Sequence, residues 1–513
     1  MPSLNFSSLL LLGVVASATV GSAAEPLRDA PSAFLRAQAA SPIRWQPWNE
    51  ATLAQARASG RSIYVFIGSP LSELTRATIS QTFTSEKTVA WLNENFFCIL
   101  VDADTQPEVA AYAQHYIVSV KQLRGSPVHL WLTSDLQPYD GANYLPPSEE
   151  WGKAGFLKAA RNALDTWTLD PARARALAAE AISMMRLPPL GAETKADLKA
   201  KLDRSAAAWI ATLDSKNGGF GTAPKQPEPE LIRFLLAPDP AARAAALNHA
   251  RALVAGAVRD PVDGGFYRRA IDEEWKEPYR QKTLADQARI ALALLDAADA
   301  AKDDKLRAAA FGALDFALKE LRQPDGSFAA ALDGTREENV DPAKRPAFVR
   351  VGTATTGTQG LLIAALQRTG EKRFTTLAAQ LSGRLRERLA ASGYTLEHIA
   401  NFPASATAAD YAAVALAFRT LKDAATADRL LARANELFFD ATVGSYMASP
   451  VKLPPGIAVR APASGETPSA ETLALLAGAD EQTAAPLRRA LLSAIEYDEQ
   501  PPGDVLLSLS VKP

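Results

Sequence analysis

Sulfur and imidazole are scarce in this chain. A single cysteine, Cys98, stands among 513 residues, which excludes an intrachain disulfide and any multi-cysteine metal site. The four histidines, His115, His129, His249 and His398, are widely separated, so no local metal-ligand pair of the H-E-x-x-H kind exists. There is no Walker loop, no dinucleotide fingerprint and no G-x-S-x-G elbow. Charge of one sign is missing too: 55 Lys+Arg against 57 Asp+Glu leave a formal charge of −2, and no global field favours nucleic acid or an anionic membrane. No apolar run after the N-terminus reaches the roughly 18 residues of a membrane span. No cofactor and no metal are implied.

What is present is ordinary globular material, 48% hydrophobic and 22% charged, in a chain long enough for more than one domain. Residues 1–24 read as an export signal: a short apolar run, Leu9 to Val15, followed by the small residues Ser22, Ala23 and Ala24. No Lys or Arg precedes Arg28, so the amino terminus alone supplies the positive end. The expected destination is the periplasm or the extracellular medium.

Residues 25–168 have an α/β pattern. Arg61 to Ile67, Phe96 to Val101 and Val128 to Leu132 are continuous apolar runs of buried-strand type, with a helical spacing over Ser85 to Asn95. Cys98 falls mid-strand, where a cysteine behaves as a small hydrophobe. The stretches SPIRWQPWNEATLAQARASGRSIYVFIG, TFTSEKTVAWLNENFFCILVDAD and GSPVHLWLTSDLQPYDGANYLP resemble the thioredoxin-like domain of the spermatogenesis-associated protein 20-like family. The resemblance implies a Cys-x-x-Cys after the first long strand, and Ser72 and Thr75 stand where those cysteines would fall. Pro127 corresponds to the proline that thioredoxin-like folds hold in cis. Thiol–disulfide exchange needs a thiolate and a resolving thiol, which two hydroxyls cannot replace. The expectation is a thioredoxin-like fold that is not a thiol oxidoreductase, with the Ser69–Thr75 loop and Pro127 either structural or shaping a groove for a protein partner.

Residues 169–513 are Ala- and Leu-rich with apolar positions three and four apart. The spacing predicts helices over 171–186, 194–213, 228–236, 240–258, 280–299, 303–322, 354–368, 371–390, 407–421, 424–438, 468–478 and 482–496. Short and long connections alternate between them. Short links make antiparallel neighbours, so the long ones share a rim. Each long link carries glycine then an aromatic: Gly219-Phe220, Gly265-Phe266, Gly326-Ser-Phe328, Gly393-Tyr394 and Gly444-Ser-Tyr446. This is the signature of a repeated helical hairpin, and it predicts an (α/α)6 toroid; an open superhelix of helix pairs is the alternative. NGGFGTAPKQP, DGGFYRRAIDEEWKEP, TQGLLIAALQRTG, ATAADYAAVALAF and ETPSAETLALL continue the family resemblance, which implies a toroid of the six-hairpin glycosidase/epimerase type. Tyr279, Gln281, Gln226 and Gln359 depart from the family's polar pattern.

The longest informative link runs from Asp260 to Asp286. Two carboxylates on this rim, Asp272 and Asp286, are the catalytic candidates, because glycoside hydrolysis needs a carboxyl pair across a sugar. Arg268, Trp275 and Lys282 suit a sugar or carboxylate, and Lys225 and Asp410 join them through the resemblance. The plainer alternatives are that Asp272–Glu274 caps a turn, that Trp275 packs under the loop, and that Asp410 caps a helix. Glu397-His398 is the sole histidine expected on the rim. The function expected is carbohydrate or small-molecule binding or processing in the toroid; the rival is a non-catalytic interaction protein in which both ancestral sites have decayed.

Overall fold

The computed structural model describes residues 26–190, 197–236, 239–334, 348–400, 404–463, 481–494 and 500–510. The predicted signal and the predicted helix 468–478 lie outside them.

Strands β1 (Gln46–Pro47), β2 (Ser62–Gly68), β3 (Phe96–Asp102), β4 (Val128–Leu132) and β5 (Pro138–Ala142) form a five-stranded sheet in the order β1-β3-β2-β4-β5. The first three are parallel, with Gly68 beside Asp102 at the carboxyl ends of β2 and β3; β4 runs antiparallel to β2, and β5 antiparallel to β4. Period-two alternation sorts the strand residues onto two cores. Tyr64, Phe66, Cys98 and Trp131 face one side with Trp45 and Phe156. Ile63, Val65, Ile67, Val101 and Leu130 face the other. Helices α1 (Ala33–Ala37), α2 (Glu50–Ser59), α3 (Glu73–Ala77), α4 (Glu86–Asn95), α5 (Pro107–Ser119) and α6 (Phe156–Leu169) surround the sheet. The Ser126–Pro127 bond is cis.

Helix α7 (Pro171–Met185) starts just past the expected division at residue 169, yet it packs on this first domain: Ala174 and Ala178 join one core, Ala181 and Met185 the other. Its small residues let it lie close on the sheet, a property of shape that helical periodicity does not report.

The rest is a ring of hairpins. The outer helices are α8 (Leu198–Ala211), α10 (Pro240–Ala255), α12 (Asp304–Phe316), α14 (Lys372–Ala391), α16 (Ala424–Phe438) and α17 (Glu481–Ala494). The inner ones are α9 (Pro229–Leu235), α11 (Leu284–Ala301), α13 (Thr356–Arg368), α15 (Ala408–Thr420) and α18 (Gly503–Ser510). Inner helices touch in sequence, α9 with α11, α11 with α13 and α13 with α15, and α18 closes against α9. This is the expected (α/α)6 toroid. Its outer helices expose one face, while α11, α13 and α15 are buried along most of their length.

Each long link leads from an outer helix to the next inner one. In four of the five, the aromatic after the glycine folds back to pair with the end of the outer helix: Leu213 with Phe220, Arg259 with Phe266, Arg322 with Phe328 and Phe439 with Tyr446. Gly219 needs its left-handed backbone (φ 83°), and a Cβ there would stand 2.6 Å from the Trp275 ring. At Gly265 a Cβ would meet the Phe316 ring at 2.5 Å, so glycine lets the link press onto α12. Strands β6 (Gln281–Thr283), β7 (Ala329–Asp333) and β8 (Val349–Thr353) add a small antiparallel sheet to this rim.

Candidate functional site

The long-link rim is covered by the first domain. Gln281 Nε2 donates to the Leu71 carbonyl (3.0 Å), Tyr279 Oη donates to Glu73 (3.3 Å), and Arg76 pairs with Asp333 (2.9 Å). Ile457, from the link after α16, is buried in the core of the first domain. The loop expected to dock a partner therefore faces the rim of its own chain.

Ser72 and Thr75 have structural duties. Ser72 Oγ accepts the Thr75 amide at the start of α3, and Thr75 is fully buried beneath Gly68. Cys98 is buried in β3, and burial pushes its thiol up to about 12.

Three of the expected binding residues hold the links together. Lys225 is buried and donates to Asp214 (2.6 Å) and to the Gly218 carbonyl (2.9 Å). Trp275 is buried, with its indole N–H on that same carbonyl (3.0 Å). Lys282, wholly buried, donates to Asp260 (2.7 Å) and Asp263 (2.8 Å) and sits against the Tyr267 and Phe316 rings. Asp272 accepts the amides of Lys276 (3.1 Å) and Glu277 (2.7 Å), closing a surface turn. No hydrogen bond or ion pair joins it to Asp286.

Other charged residues gather near the starts of the inner helices α9 and α11. Asp286 lies in the first turn of α11, and its Oδ2 is buried without a hydrogen-bond partner among the described residues. Arg289, one turn on and on the same face, reaches Glu230 of α9 (3.8 Å). Glu228, just before α9, holds a left-handed backbone (φ 42°). Burial, followed by the charge of Glu230, pushes its carboxyl up to about 7. Nearer the opposite rim, Asp296 of α11 binds both Arg233 of α9 (2.8 Å) and Arg368 of α13 (2.9 Å). Partly buried ionisable groups thus lie on neighbouring inner helices, and those at the far end are joined in a network of ion pairs.

Asp410 occupies the start of α15 as a capping carboxylate, accepting from Thr407 (2.8 Å) and from the Gly357 amide (2.9 Å). It also binds His398 Nδ1 (2.6 Å), while His398 Nε2 lies 3.1 Å from the Asp104 carbonyl oxygen of the first domain. Both partners are acceptors, so the ring carries a proton on each nitrogen. Burial works against that charge, but Asp410, Glu108 and the Asp104 carbonyl outweigh it and raise the pKa of His398. Burial likewise opposes ionisation of Asp410, and His398 with the surrounding amides holds its pKa below the usual carboxylate value. Exposed Arg268 donates to Gln281 (3.1 Å) and acts electrostatically on Asp104.

Sequence reasoning did not single out Glu228, Glu230, Arg289, Asp102 or Asp104. Glu228 and Glu230 flank a proline at a helix start, a pattern that reads as simple capping. Asp102 and Asp104 end a strand, where acidic residues are common.

Among known proteins, the family model Thioredox_DsbH, a protein of unknown function (DUF255), matches residues 24–186. Spermatogenesis-associated protein 20 of Rattus norvegicus is 28% identical over 333 residues, 61% of this chain and 41% of that protein. The Homo sapiens protein is 28% identical over 322 residues, 59% and 40% of the two chains. The chain thus matches about two fifths of the length of these relatives. Among solved structures, a sugar epimerase from a ruminal bacterium covers 62% of this chain and 99% of its own, at 13% identity and a TM-score of 0.47. Cellobiose 2-epimerase from Bacillus thermoamylovorans B4167 covers 61% and 97%, at 13% identity and 0.46.

Proposed function

We propose that this chain is an exported, redox-inactive member of the spermatogenesis-associated protein 20-like family, whose helical ring binds a carbohydrate on its inner face, beneath a thioredoxin-like cover. The observation carrying this reading is the set of partly buried carboxyls at the starts of the inner helices α9 and α11. Glu228 with its raised pKa, Glu230 with Arg289, and the buried free oxygen of Asp286 lie on adjoining helices. Sugar hydroxyls donate to carboxylates and accept from guanidinium groups, so this donor–acceptor mixture suits a polyol better than an apolar ligand. A carboxyl titrating near neutrality is also fit for proton transfer, which makes Glu228 the group to test if the sugar is processed.

Redox silence rests on the hydroxyls at 72 and 75, both engaged in the fold, and on the inert buried Cys98. The cover role rests on the contacts of the Leu71–Arg76 loop with Tyr279, Gln281 and Asp333.

Calorimetric titration of the full chain with neutral mono- and disaccharides tests the reading. At least one sugar is expected to bind, and Glu230→Gln, which removes the Arg289 partner, to weaken it roughly tenfold. Binding that is indifferent to both Glu230→Gln and Asp286→Asn, or no binding by any neutral sugar at about 10 mM, overturns it.

A further inference from the structure

A cavity whose lining includes none of the inner-helix carboxyls opens at the seam between the domains. Its volume is about 480 Å3, within the roughly 300–1,000 Å3 of small-molecule sites. It lies at the carboxyl ends of the parallel strands β2 and β3, the edge at which α/β sheets bind ligands. Asp102 and Asp104 form one wall, and Arg36 and Arg350 reach it from α1 and β8. Phe34, Ile79 and Ile399 supply apolar surface.

The charged groups here are incompletely matched. Among the described residues, Arg36 donates to the Ala30 (2.7 Å) and Pro31 (2.5 Å) carbonyls, and Arg350 to that of Glu320 (2.7 Å). Neither guanidinium has a carboxylate partner among the described residues. Arg76, in the same lining, is already paired with Asp333. Asp102 is satisfied by Ser32 and by the Asp104 amide. Asp104 accepts from Ser69 Oγ (2.8 Å) through one oxygen, and no hydrogen bond from the described residues reaches the other.

We infer that this seam cavity is a distinct ligand site for a small hydroxylated anion, with its carboxylate or phosphate oxygens on Arg36 and Arg350 and a hydroxyl on Asp104. A guanidinium presents a planar fork of N–H donors that matches either oxyanion. Burial, followed by the charge of Asp102, pushes the Asp104 carboxyl up to about 7. Near neutrality it can therefore either donate to or accept from a ligand hydroxyl, and in its neutral form it does not repel an anion. The fold has thus placed binding groups at the sheet edge where the loop hydroxyls, Ser72 and Thr75, are turned to capping and packing. The inference stands whether or not the ring's inner face takes a sugar.

The test is titration calorimetry on the full chain and on Glu230→Gln, which weakens the inner-face site proposed above. D-glucuronate, glucose 6-phosphate, glucose and inorganic phosphate are the probes. At least one anionic sugar is expected to bind both proteins alike, with Arg350→Gln weakening it about tenfold; the exposed, edge-strand position of Arg350 keeps that variant folded, and its melting temperature checks this. Binding by glucuronate alone assigns a carboxylate, and by the sugar phosphate alone a phosphate. Failure of both anionic sugars to bind at about 10 mM overturns the inference. So does glucose binding Glu230→Gln as tightly as its anionic derivatives, inorganic phosphate matching the sugar phosphate, or Arg36→Gln/Arg350→Gln retaining full affinity.

Discussion

Replacing Lys282 by methionine keeps most of the side chain's length and removes its charge, which isolates the electrostatic duty of a residue with no exposed surface. The ammonium serves Asp260 and Asp263, whose side chains are 5% and 7% exposed. Removing one partner of a buried ion pair costs about 3–5 kcal/mol, because the remaining charge is left unpaired in a poor solvent. Here two carboxylates are left. Asp260 keeps the Tyr267 hydroxyl and the Val262 amide (both 2.9 Å), and Asp263 keeps the Gly265 amide (2.9 Å). Those bonds soften the loss, while the cation–π contacts to Tyr267 and Phe316 go with the charge. A cost of about 3 kcal/mol follows, and for a domain of this size a fall in melting temperature of roughly 3–5 °C. The assay is circular dichroism melting at fixed pH, with Lys282→Met/Asp260→Asn beside it. The double variant should lose less than the sum of the two single ones, since they share the interaction. A Lys282→Met protein melting within about 1 °C of the parent would refute the staple; if that protein had also lost sugar binding, Lys282 would be a ligand residue after all.

Other perturbations reach other parts of the argument. The His398 clasp between the domains contributes stability fully below the ordinary histidine value of 6.5 and loses it as pH rises through the raised folded value; Asp410, with a depressed value, sets the acid limit, its contribution disappearing as pH falls through the lowered pKa. Melting followed from pH 6 to 9 should therefore show a steeper alkaline decline in the parent than in His398→Asn, and parallel curves would remove the clasp from the account. Asp104 has a raised folded pKa, so its burial destabilises the fold increasingly as pH climbs from about 4 to 7; Asp104→Asn should gain more in melting temperature at pH 8 than at pH 5, and an equal gain counts against the assignment. Gly265→Ala drives a methyl into the Phe316 ring, for an expected loss of about 1–3 kcal/mol, read by chemical denaturation; a neutral result would show that the link is not held against α12. Cys98 in the native chain should resist a thiol reagent at pH 8 and react once urea unfolds it; rapid native labelling would contradict the burial of β3.

The ring was legible because its signal is repetitive. Alternating link lengths and a Gly-aromatic pair in each long link both follow from hairpins stacked side by side, and no single residue had to be interpreted correctly. The three main strands were legible for a similar reason, being continuous apolar runs. Individual side chains were harder to place. Lys225, Lys282 and Trp275 are residue types that bind ligands, but whether a lysine meets a sugar or a buried aspartate depends on contacts such as Lys282 with Asp260, fixed only when the link folds back on itself. Helix α18 escaped notice because eight residues behind two prolines give too short a window for periodicity. The seam cavity is assembled from α1, the end of β3 and strand β8, which lie far apart in sequence, so no local pattern announces it.

The contact between α18 and α9 bears on how the molecule is made. Helix α9 emerges from the ribosome some 270 residues before the segment that must lie beside it, and in that interval its flank is bare apolar surface. The thioredoxin-like unit, whose last helix ends at Met185, is made well before then apart from the Ile457 segment of its core, and can begin to fold first. It therefore stands ready above an arc that has not yet joined up, and its hold on the middle links through Gln281, Asp333 and His398 gives the half-built circle a template until the last turn arrives.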